Sequence, residues 1–126
     1  MGYQEAFEGY IAATNTHDFD EVSKWISADA VYWFTGTSCT TTEAIRSYFE
    51  QAWDMVKEEV YAAKDLTWIT VSETQAVCIY TYHWEGIYEG KPASGNGRAT
   101  NVFATGPDGE WKLIHEHLSA GENGET

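Results

Sequence analysis

The hydrophobic residues of this chain change period partway along, and that change limits the available folds more than any single motif does. Up to about position 60 apolar side chains recur at spacings of three and four; beyond it they alternate. Tyr3, Phe7, Tyr10, Ile11 and Thr14 lie on one face of a helix spanning residues 2–15. Asp18 and Glu21 have capping-box spacing ahead of a short second helix that buries Phe19, Val22, Trp25 and Ile26. AVYWFT, residues 30–35, is made of strand formers and stops at Gly36. TTTE at 40–43 opens a third helix carrying Ile45, Tyr48, Phe49, Ala52, Trp53, Val56 and Val60. Strands are expected over about 65–72, 76–88, 97–105 and 110–119, with a turn at GPDG, 106–109. KPASGNG, 91–97, reads as a loop and residues 120–126 as a flexible tail. Helices followed by strands predict an α+β domain with helices packed on one side of an antiparallel sheet.

The chain's 126 residues suit one domain, 1–126, with one core. Twenty acidic residues against seven basic ones give a net charge of −13, spread along the chain, which repels phosphate backbones and anionic lipid. Nucleic acid and membrane are therefore not expected partners. No apolar leader opens the chain and no apolar run reaches the roughly 20 residues that span a bilayer; a soluble, cytoplasmic protein is expected. Cys39 and Cys78 make neither a disulfide framework nor a C-x-x-C pair. Six Trp, eight Tyr and five Phe exceed the needs of a small core, and aromatics of that kind line small-molecule pockets and subunit interfaces.

Three segments carry a resemblance: YIAATNTHDFDEVSKWISADAVYWF (10–34), TEAIRSYFEQAW (42–53) and RATNVFATGPDGEWKLIHEHLSAG (98–121). Together they resemble the nuclear transport factor 2-like superfamily, whose members include ketosteroid isomerase, SnoaL-like polyketide cyclases and the calcium/calmodulin-dependent kinase association domain. The last segment is the most specific, with its Thr-x-Val-aromatic strand, D-G-x-W turn and H-x-H-x-S ending. The resemblance implies a cone-shaped, cystatin-like α+β fold in which a curved antiparallel sheet and three helices from the N-terminal half enclose a pocket. Such folds host enzymes, binders and oligomerisation modules alike, so roles carry over only residue by residue.

Similarity to the isomerase implies that Tyr10 stands where that family keeps an oxyanion-stabilising tyrosine. It places Phe34 at the carboxylate base and Asn101 near a protonated aspartic acid. A phenyl ring cannot remove a proton, so ketosteroid isomerisation itself is not expected; Asn101 remains a hydrogen-bond donor. Similarity to the association domain puts His83, Asn101 and Leu118 where its pocket carries arginines. It also implies that Leu118 points inward, and strand alternation then turns Glu116 and Ile114 inward too. His115 and His117 would face outward beside Trp111 and Leu113.

The H-E-H of residues 115–117 could offer two imidazoles to a divalent ion, but a third ligand and the helical H-E-x-x-H spacing are missing, so no metal is expected. Catalytic candidates are Tyr10, His83 and Glu116. Burial would raise the Glu116 carboxyl into a useful range, and a neighbouring imidazolium would oppose that. Alternatively, Glu116 pairs with Arg98 across the final hairpin. Tyr32, Phe34, Asn101, Phe103, Ile114 and Leu118 are expected to contact substrate, although the aromatics among them serve equally well as core. With His83 inward, Tyr80, Tyr82 and Trp84 fall on the outer face and, with Trp111, form an interface patch, so a homodimer through the sheet is expected. Lys57, Glu58 and Glu59 read as solvated helix surface. The expected function is a SnoaL-like pocket protein for a small apolar or mildly polar ligand, performing cofactor-free acid/base chemistry of the isomerase, cyclase or hydratase type. The alternative is a non-catalytic oligomerisation or regulatory module similar to the kinase association domain.

Overall fold

The helices start where their caps require. In a computed structural model that describes residues 2–120, the Gly2 N–H donates to Glu5 Oε1 at 3.0 Å at the start of α1 (Tyr3–Thr14). Asp18 Oδ1 accepts the Asp20 N–H at 2.9 Å to open α2 (Phe19–Val22), which runs into a 3-10 turn at Ser23–Trp25. Thr41 Oγ1 accepts the Ala44 N–H at 3.1 Å and starts α3 (Thr42–Met55). The strands are β1 (Ile26–Phe34), β2 (Thr37–Cys39), β3 (Val56–Val71), β4 (Gln75–Tyr88), β5 (Lys91–Thr105) and β6 (Trp111–Ala120). They form one sheet in the order β2-β1-β6-β5-β4-β3, antiparallel except where β1 runs parallel to β6. None of the described helices is long and apolar enough to cross a membrane.

The curved sheet and the helices bury a common core between them. Phe7 of α1 packs edge-on to Tyr80 and Phe103 of the sheet, while Phe49 of α3 meets Phe19 and Tyr32. One cross-strand row defines the inner face: Tyr32, Glu116, Asn101, Cys78 and Trp68 are successive partners from β1 to β3. Partners directly opposite share a face, so the register of this row decides which side chains the helices cover.

Several local expectations yield to pairing. Val56 and Val60 fit the helical period of α3, yet the helix ends at Met55 and both residues belong to β3, where Val56 pairs with Tyr88 and Val60 with Glu85. KPASGNG is not a loop but the first half of β5, paired with β4 from the Tyr88–Lys91 contact onward. The turn sits just before it, at Glu89 and Gly90, whose φ of 51° and 78° suit a two-residue hairpin. The GPDG turn forms as expected, with the Gly106 N–H bonded to the Glu110 carbonyl at 3.0 Å. The short strand β2, which the sequence pattern does not mark, pairs antiparallel with the end of β1. Residue 120 ends β6, and positions 121–126 of the expected tail lie outside the described residues.

Candidate functional site

A cavity of about 350 Å³ opens between α1, α3 and the concave face of the sheet. Its floor is polar. Glu116, 3% exposed, accepts two hydrogen bonds on Oε1, from Tyr10 Oη at 2.9 Å and from Asn101 Nδ2 at 2.8 Å. Among the described residues Oε2 makes no hydrogen bond. Tyr10 Oη in turn lies 2.6 Å from Tyr32 Oη, completing a buried chain of four polar groups drawn from α1, β1, β5 and β6. Among the described residues no cation joins it: Arg98 lies opposite Ser119 and Thr81 on the other face of the sheet, so the Arg98–Glu116 pair does not form.

Burial dominates the electrostatics of this floor. Desolvation pushes the Glu116 carboxyl from its ordinary 4.5 up to about 7, while the hydrogen bonds from Asn101 and Tyr10 pull the other way. Burial, reinforced by the Glu116 charge, also raises Tyr10 and Tyr32 well above the usual phenol range. Both phenols therefore stay protonated and can donate. At neutral pH, Glu116 is poised between its acid and base forms, the condition a proton carrier needs.

The walls are aromatic. Phe34 stacks face to face on Tyr48 with centroids 3.6 Å apart, and Phe49 meets Trp53 edge-on at 5.5 Å. Tyr61 and Tyr82 stack at 6.0 Å across β3 and β4. Trp84 and Leu118 complete the sheet side, and the exposed Gln51 and Met55 form part of the rim. Glu59 also lines the cavity. Desolvation lifts its carboxyl from 4.5 to about 7 as well.

Of the expected site residues, Tyr10, Glu116, Phe34 and Leu118 line the cavity, and Asn101 holds Glu116 from behind. Tyr32 sits one hydrogen bond further back, and Phe103 is wholly buried core against Phe7 and Trp68. Two residues are misplaced by the alternation argument. His83 faces outward, its Nε2 3.3 Å from Glu85, because Cys78 pairs with Asn101 and so turns Tyr80, Tyr82 and Trp84, not His83, toward the helices. Ile114 leaves the cavity because a bulge interrupts β6: His115 pairs with Val102 but Leu113 with Phe103, so Ile114 is the unpaired residue between them. The same bulge turns Leu113 and Trp111 inward, where Trp111 packs on Tyr3 at 5.8 Å.

His115 and His117 do face outward, flanking Trp33 edge-on at 5.3 and 5.6 Å, and His115 Nδ1 bonds the Val31 carbonyl at 2.7 Å. Among the described residues no group of three or more His, Cys, Asp or Glu is arranged to hold a metal ion. Sequence reasoning missed Glu59, Tyr61, Tyr82 and Trp84 as lining residues; the first two fell in a segment read as helix or left unassigned, the others on the wrong face. Assigning β3 through Val56 would have exposed the first pair.

Comparison with known proteins places this geometry. A search of curated proteins finds no match. Among solved structures, a Salmonella enterica serovar Typhimurium protein of the nuclear transport factor 2-like superfamily superposes with a TM-score of 0.84 at 14% identity, over 93% of this chain and 87% of that one. A Xanthomonas campestris structure, provisionally assigned as a calcium/calmodulin-dependent protein kinase II association domain, gives 0.81 at 25% identity, over 92% and 83%. One from Shewanella frigidimarina, provisionally assigned as a ketosteroid isomerase, gives 0.78 at 22%, over 91% and 92%. The family model for the SnoaL-like domain matches residues 4–121, and the chain belongs to that family.

Proposed function

We propose that the protein binds a small, largely apolar molecule in this cavity and moves a proton on it without a cofactor, in a reaction of the isomerisation, cyclisation or hydration class. The observation carrying this reading is the Glu116 carboxyl, buried with no counter-cation among the described residues on the floor of a cavity with aromatic walls. Glu116 is the proton carrier. Tyr10 donates its one hydroxyl proton to the Glu116 carboxylate and can turn it to a bound oxygen once Glu116 has taken up a proton, and Asn101 orients the carboxyl. Phe34, Trp84 and Leu118 supply apolar walls that keep water out.

Exchange of α-protons of cyclic ketones in deuterated buffer, followed by NMR, tests the chemistry without knowledge of the natural substrate. The parent protein should accelerate exchange, and Glu116→Gln should lose at least about 100-fold of that acceleration. Retention of full acceleration by the variant would remove Glu116 from the mechanism.

The setting is a cytoplasmic homodimer. The aromatics of β4 face the helices, and the support for pairing is an outer-face band of Trp33, 49% exposed, and Ile79, 41% exposed, beside His117 and Val102. Light scattering should return twice the 14.2 kDa chain mass; a monomer at micromolar concentration would contradict the pairing.

A further inference from the structure

The acidic rim of the cavity says more about its occupant than the floor does. Among the described lining residues there is no Lys, Arg or His, whereas two carboxyls, Glu59 and Glu116, face the same space. Glu59 is set in place by a contact that also fixes a wall. His17 Nε2 donates to the Glu59 carbonyl at 2.8 Å while the same imidazole stacks on Trp53 at 5.5 Å and 19°. One ring thus ties the backbone of Glu59, whose half-buried side chain lines the cavity, to an indole at the rim. Two positions further along β3, Tyr61 continues the aromatic surface with Tyr82.

Resting on the pocket reading above, we propose that the ligand carries a protonated amine, held at the rim between Glu59 and the faces of Trp53 and Tyr61, with its apolar body reaching down toward Glu116. A carboxylate or phosphate ligand would meet two carboxyls and find no cationic partner in the lining. A neutral ligand would cover Glu59 and leave its carboxyl either charged and unpaired or forced to take up a proton. An ammonium ion answers both difficulties, since it pairs with the carboxylate and is attracted by the negative faces of the surrounding rings. The chain's net charge of −13 also draws cations toward the cavity from a distance.

Titration calorimetry of the full chain against 2-phenylethylamine, 2-phenylethanol and phenylacetate separates cationic, neutral and anionic heads on one aromatic body. The amine should bind at least about tenfold more tightly than the alcohol, and phenylacetate should give no heat. Glu59→Gln should erase the preference for the amine while leaving the alcohol unaffected, and Glu59→Lys should transfer the preference to phenylacetate. Equal binding of amine and alcohol, an undiminished amine preference in Glu59→Gln, or no binding of the amine would each overturn the assignment. The first two results leave the pocket reading standing. Loss of both amine binding and the ketone exchange described above would remove the pocket reading as well.

Discussion

A Glu116→Gln variant should lose the Glu116 share of the parent's pH-dependent stability, leaving that of Glu59, and outlast the parent above neutrality. The ordinary value of this carboxyl is 4.5, and in the fold desolvation lifts it to about 7. Between those limits the folded chain keeps a proton that the unfolded chain has released, so stability falls as pH rises. The favourable contribution is complete below the unfolded value and gone once the pH passes the folded one. That interval corresponds to about 3 kcal/mol, or roughly 10 °C in Tm for a chain of this size. Glutamine keeps the shape and can still accept from Tyr10 and Asn101, but it never ionises. Thermal unfolding from about pH 4 to pH 8 should show the two proteins converging in acid and diverging toward neutrality. Parallel curves would mean that Glu116 is ionised in the fold with little penalty, contrary to its burial.

The second large effect lies on β5, at Gly97. A Cβ there would stand 2.1 Å from the Ser119 carbonyl oxygen and 2.6 Å from Tyr82 Oη. Tyr82 Oη donates to that same carbonyl at 3.3 Å, so tyrosine and backbone close over the glycine together. The backbone oxygen cannot swing aside as a flexible side chain would. Gly97→Ala should therefore cost about 1 to 3 kcal/mol, and Gly97→Val more, by chemical denaturation. Gly106→Ala is the control, because its Cβ would meet nothing nearer than Asp108 Oδ1 at 3.4 Å and its φ is not positive. Similar stability of Gly97→Ala and the parent would show that β5 and β6 can move apart here, and would loosen the account of the cavity's shape. Gly95, Gly97 and Ala99 all face the helices, opposite Trp84, Tyr82 and Tyr80, and their small size leaves room for those rings.

Those glycines also explain part of what the sequence conceals. A Gly-rich, Pro-containing stretch reads as a loop by composition, yet here glycine serves close approach inside a strand. The change from helical to alternating period made the α+β class readable, and the caps at Asp18 and Thr41 marked helix starts that the fold adopts. Alternation, however, says only that neighbours point to opposite faces, never which face is covered. For β6 the resemblance supplied that choice and Glu116 fell inside. For β4 the choice of His83 as inward was reversed by a register, Cys78 against Asn101, that depends on two distant segments meeting. Ile114 was lost to a bulge that no local feature of KLIHEH announces. Glu59 was hidden differently: a helix extended by periodicity through Val60 turned a cavity carboxyl into apparent helix surface, because the pairing that ends α3 at Met55 is long-range.

All of these assignments meet at the ionisation of one side chain. Carbon-detected NMR of the Glu116 carboxyl, titrated in the parent protein and assigned by comparison with Glu116→Gln, measures it directly. The buried, cation-free floor requires a midpoint near 7, against the ordinary 4.5, and a further rise when Tyr10→Phe removes one of the two hydrogen bonds that hold it down. A midpoint at the ordinary value would contradict the account, because an acid that titrates like one in water is neither desolvated on a cavity floor nor poised to carry a proton at neutral pH.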